Sequence, residues 1–182
     1  MPLVGKSTNG GFGSFAHLAA RFFGALDPRG PSPADETWAT DHLVPGEVAL
    51  WNRMSGPDRR HAVGVARDTI VLLAPDPPRR EVIAAALLHD VGKVESGFGT
   101  FSRVAVTVLA MVVGRSRLVG RETPRQTRVA KYLTHDRLGA DLLRQAGSDD
   151  LTVAWAEEHH LDAQLWTVDP QLGMALKAAD GD

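Results

Sequence analysis

From residue 58 onward, apolar and polar positions recur with the three-to-four-residue period of helices packed on one face. "DRRHAVGVARDTIVLLA" (58–74) starts after "SGP" and is stopped by "PDPP", and "RREVIAAALLHDVGK" (79–93) follows directly. "DRLGADLLRQAG" (136–147) ends on a glycine cap, "SDDLTVAWAEEHH" (148–160) opens on a Ser or Asp cap, and "PQLGMALKAAD" (170–180) starts at Pro170. Further helical pattern is read at 15–26, at the apolar segment 101–113 and in "VAKYL" (129–133). "DPRGPSPADE" is a Pro/Gly linker into a capped start at Ser32 or Asp35, after which almost everything reads as helix. No alternating strand pattern of useful length and no fixed-period repeat occurs, so the expected class is all-α, a single helical bundle.

The chain divides into residues 1–34, a Gly-rich arm with a short helix and a linker, and residues 35–182, the helical domain. "GKST" in the arm lacks the upstream glycine and preceding strand of a phosphate loop, and fails on spacing. Of the 182 residues, 43% are apolar and 23% charged, which is globular rather than disordered. The 20 basic and 22 acidic residues nearly cancel, so bulk charge points to neither nucleic acid nor an anionic membrane. "VAVTVLAMVV" (104–113) has about half the length of a membrane span, and no signal-peptide pattern opens the chain. With no cysteine, a metal must be held by His, Asp and Glu; the composition fits a cytoplasmic protein.

The seven histidines are His17, His42, His61, His89, His135, His159 and His160. Singly, a histidine is more often a surface or hydrogen-bonded core residue than a ligand. Their positions relative to the turns are more informative. A hairpin folding at about residue 76 sets His61 opposite roughly position 91 or 92, beside His89 and Asp90. A second, folding at about residue 148, sets His135 opposite roughly position 161, within a turn of His159 and His160. Side-by-side hairpins bring both sets together. Leu172, Leu176 and Asp180 form an i, i+4, i+8 stripe that puts a carboxylate on an apolar face, unless the helix end is simply frayed.

Imidazole and carboxylate ligands suit Fe, Mn, Co, Ni or Zn, and a carboxylate can bridge two ions where one imidazole cannot. One ion would take His61, His89, Asp90 and Asp180. A second would share Asp90 and add His135 with His159 or His160. One helix would set His159 and His160 about 100° apart, so that one of them points inward. Two ions about 3.5 to 4 Å apart can hold a bridging hydroxide able to attack phosphorus at neutral pH.

The order His61, "HD" at 89 and 90, His135, "HH" at 159 and 160, and Asp180 resembles the HD-domain metal-dependent phosphohydrolases, and "LLHDVGK" is close to their HDIG form. The resemblance spans about residues 50–182. It implies an all-helical fold and hydrolysis of a phosphomonoester or phosphodiester, usually of a nucleotide or dinucleotide. The extra histidines are similar to those of members with two metals, among them phosphodiesterases of cyclic dinucleotides. By the same resemblance Lys93 approaches the substrate phosphate and, with Asp90, is a catalytic candidate; a lysine at a helix C-terminus is the alternative. "LDAQLW" after "HH" departs from the GYP-type sequence of the cyclic-di-GMP subgroup. The arginines at 115, 117, 121, 125 and 128 read as a solvated loop in preference to a polyphosphate-lined mouth.

The expected cofactors are two divalent transition-metal ions, Fe or Mn ahead of Zn, Co or Ni. The expected partner is a small-molecule nucleotide or dinucleotide, with no nucleic acid, no membrane span and an open oligomeric state. A diiron oxygenase on the same fold and a non-catalytic nucleotide-binding signalling module are the competing readings.

Overall fold

A computed structural model of the chain describes residues 28–96 and 134–181. The helices expected at 15–26, 101–113 and 129–133, "GKST" and the arginine-rich stretch lie outside these residues. The described residues form seven α-helices and no strand. They are α1 (Pro33–Asp41), α2 (Pro45–Trp51), α3 (Gly56–Leu72), α4 (Arg80–Leu88), α5 (His135–Ala146), α6 (Asp150–Glu158) and α7 (Pro170–Asp180). Short 3₁₀ turns run over Val91–Ser96 and Ala163–Leu165. No helix among them is long and apolar enough to cross a membrane.

Local chemistry sets the helix starts. Ser32, Ser55, Asp149 and Asp169 each accept a main-chain N–H from the first turn, and α1, α3 and α7 carry proline in that turn. At the other end of α5, Gly147 takes the left-handed conformation, φ 76°, that a side chain disfavours.

Every residue of α4 from Val82 to Leu88 is buried, so this helix is the axis of the bundle. Full burial of Leu87 or Leu88 contributes about 1.5 to 3 kcal/mol each. Helix α3 packs on one side of α4 and α6 on the other, α5 packs on α6 and on the 3₁₀ turn after α4, and α7 packs on α3. The two hairpins α3/α4 and α5/α6 therefore lie side by side. Thr152 of α6 ties them together by donating its hydroxyl to the Glu81 carbonyl, 3.1 Å.

Two helices are shorter than their apolar pattern predicts. The expected helix 79–93 ends at Leu88, with His89 as its cap, and the chain tightens into the 3₁₀ turn. The expected helix 148–160 ends at Glu158, with His159 as its cap. In each case polar side chains bond to the last carbonyls where the periodicity alone would have carried the helix onward.

Candidate metal centre

The site lies where helix ends meet. His89 caps α4, His159 caps α6, Asp180 is the last residue of α7, His135 the first of α5, and His61 sits in the second turn of α3. The carbonyl-rich ends of α4, α6 and α7 are thus directed to one place. The partial negative charge of a helix C-terminus favours a cation there.

Asp90 stands at the middle and is buried. Its Oδ2 lies 3.5 Å from His89 Nε2 and accepts a short bond from the Lys93 ammonium. Its Oδ1 faces the other way, 3.3 Å from His135 Nε2 and 3.9 Å from His159 Nε2. Asp180 completes the first side: its Oδ1 is 2.8 Å from His61 Nε2 and 3.7 Å from His89 Nε2. Burial works against the charge on Asp90, but Lys93, His89 and His135 outweigh it and hold the carboxyl well below the usual carboxylate range.

The imidazoles are held with their lone pairs turned inward. His89 Nδ1 donates to the Ala86 carbonyl at 2.9 Å, and His159 Nδ1 donates to the Trp155 and Ala156 carbonyls at 3.2 and 3.1 Å. A carbonyl only accepts, so Nδ1 carries a proton and Nε2 is the ring nitrogen turned to the site. Both Nε2 atoms are buried and have no hydrogen-bond partner among the described residues. A buried base with nothing to accept is costly in a folded protein unless it ligates. A backbone bond on the far ring nitrogen is also the usual support of a metal-bound histidine. Burial, with His160 and His89 nearby, holds the His159 pKa well below the ordinary imidazole value.

Two groups of side chains therefore could hold an ion: His61, His89 and Asp90, and Asp90, His135, His159 and His160. Asp90 belongs to both. His159 and His160 both belong to the second group, although they are neighbours at the end of α6. His159 is buried and His160 exposed at the rim, yet their rings lie 3.9 Å apart and His160 sits 5.4 Å from the His135 ring. His42 stands elsewhere, bonded to the Trp38 carbonyl at 2.7 Å, and Asp136 of the second His-Asp pair accepts from the Arg137 N–H. His17 lies outside the described residues.

The surrounding chain fixes the His159–His160 corner. Lys177 donates to the His159 carbonyl at 3.0 Å. Glu158 accepts the Thr167 N–H and hydroxyl, 2.7 and 2.6 Å, and the Trp166 indole reaches the Glu158 and Leu161 carbonyls. None of these residues stands out in the sequence, nor do Gly92 and Gly139, which meet backbone to backbone beside His135. An isolated glycine within a helical pattern, as at Gly139, was the available signal.

An all-helical bundle thus carries, at its helix ends, a buried, carboxylate-centred histidine cluster that could hold metal. The HD domain family model matches residues 59–181, and the chain belongs to that family, whose members are generally metal-dependent phosphohydrolases. No curated protein and no solved structure matches the chain.

Proposed function

We propose that the protein is a dinuclear metal-dependent phosphohydrolase acting on a phosphomonoester or phosphodiester bond of a nucleotide or dinucleotide. The observation that carries this reading is the orientation of Asp90, whose two oxygens face two different sets of imidazoles. A carboxylate so placed suits a bridge between two ions. His61, His89, Asp90 and Asp180 would hold one ion; Asp90, His135, His159 and His160 would hold the other.

When bound, such a pair supplies a water acidic enough to attack phosphorus at neutral pH. The chain's own residues do the rest. The Nδ1 bonds of His89 and His159 hold both rings with Nε2 turned toward the site. Lys93, paired with Asp90 and partly open to solvent, places positive charge where a non-bridging phosphate oxygen gains negative charge. His160, exposed at the rim, would be the ligand most open to an incoming substrate.

The test is metal analysis of protein purified without chelator, followed by an activity screen on nucleotides, dinucleotides and polyphosphates. Turnover by anaerobic, manganese-loaded protein supports hydrolysis and excludes an oxygenase. Tight binding of a cyclic dinucleotide without cleavage over hours would support a signalling module instead.

A further inference from the structure

The 3₁₀ turn after α4 meets α5 backbone to backbone at Gly92 and Gly139. A β-carbon at Gly92 would lie 1.8 Å from the His135 carbonyl oxygen, 2.6 Å from the Gly139 nitrogen and 2.7 Å from the His135 carbonyl carbon. A β-carbon at Gly139 would meet the Gly92 nitrogen at 3.1 Å, and Gly92 Cα and Val91 Cγ1 at 3.5 Å. Neither glycine has a positive φ. What these glycines supply is therefore close approach and not an unusual backbone conformation.

The approach falls at a particular place. Gly92 is two residues past Asp90, and the main chain it touches belongs to His135, whose Nε2 faces Asp90 Oδ1 at 3.3 Å. Asp90 comes from one hairpin and His135 from the other. The Gly92–Gly139 contact is a backbone joint beside both.

We propose that this glycine joint is a positioning device that sets the reach of His135 to Asp90, and with it the second of the two metal positions. The proposal rests on the dinuclear reading above. Any side chain at 92 would drive the His135 main chain back by roughly 1.5 Å before ordinary carbon–oxygen contact returns. Metal ligation tolerates only a few tenths of an ångström. Of the first ion's ligands, His61, His89 and Asp180 reach it from α3, the end of α4 and α7, none of which crosses the joint, and the shared Asp90 stands before the joint in the chain. A bulkier joint should therefore remove the second ion and leave the first.

The experiment compares the full chain with Gly92→Ala, Gly139→Ala and Gly64→Ala; a β-carbon at Gly64 on α3 would meet nothing within 4 Å. Manganese titration calorimetry gives stoichiometry and affinity, electron paramagnetic resonance reports an exchange-coupled pair, and thermal melts report folding. The wild-type chain and Gly64→Ala should bind two ions and show the coupled spectrum. Gly139→Ala should weaken the second ion by about 10- to 100-fold with the first unchanged. Gly92→Ala should bind one ion. A merely structural role would lower melting temperature and weaken both ions in parallel, and that result overturns the proposal. So does two-ion binding of wild-type affinity by either joint variant. If Gly92→Ala does not fold, Gly139→Ala, with its milder contacts, decides. Two-ion failure in the wild-type chain itself overturns the dinuclear reading and this proposal with it, and is visible before any variant is made.

Discussion

Asp180 places its Oδ1 2.8 Å from Nε2 of His61, a residue 119 positions earlier in the chain. This pair closes the first side of the site, and α7 makes it by packing on α3. Asp180→Ala should remove the ion held with His61 and His89 and leave the His135 side occupied. Metal content should fall from two ions to one per chain, and phosphohydrolase activity by at least about 100-fold. Loss of both ions would show that the two positions do not fill independently.

Asp90→Ala should do more damage than any other single ligand change, since both groups include this carboxylate. We expect loss of both ions and of all turnover, with the helical circular dichroism retained. Retention of two ions per chain would refute Asp90 as the bridge.

If Lys93 serves the substrate phosphate as proposed, its variants should separate from those of the ligands. Lys93→Met should keep both ions but lower kcat by about 10²- to 10³-fold, the usual cost of losing a charge from the transition state. Lys93→Arg should recover part of the rate. If Lys93→Met lost metal instead, the lysine would be serving to hold Asp90 in place.

Two groups of the site contribute to the pH dependence of the metal-free protein. His159 is held neutral by burial and by its histidine neighbours, so its folded pKa lies well below that of the unfolded chain. Below about pH 6.5 the unfolded chain takes up a proton that the native state refuses, and stability falls as pH falls. Asp90, with its pKa also depressed, adds a second loss at lower pH, once the unfolded carboxyl protonates below about pH 3.9. Urea unfolding between pH 7.5 and 5 should show this decline, and His159→Gln should flatten it. A profile unchanged by that substitution would place the titrating group elsewhere.

Much of the site was legible in the sequence because hairpin geometry is simple. The tight turns after Leu72 and Ala146 set His61 near His89 and His135 near His159, and the structure places the rings of the first pair 5.7 Å and of the second 6.0 Å apart. Asp180 was legible through its apolar stripe with Leu176, which is fully buried. Helix ends were harder to read. Apolar periodicity runs through "AALLHDVGK" without a break, whereas the helix stops at Leu88, where the His89 ring bonds back to the Ala86 carbonyl. The same competition ends α6 before "HH" and lets both rings stay near Asp90. The close approach at Gly92 has no local signature, because the atoms a side chain there would meet belong to His135 and Gly139 of α5.

Because α4, α6 and α7 all finish at the site, His89, His159 and Asp180 stand on the parts of the helices that fray first. Metal uptake would then act as a clasp on the loose ends of three helices, while the turn ends of both hairpins stand without it. Chelation should raise amide exchange around 89–93 and 159–161 well before it does so around 73–79 or 147–149. The protein would thus carry its metal status as a gradient of local stability, readable along the length of its own helices.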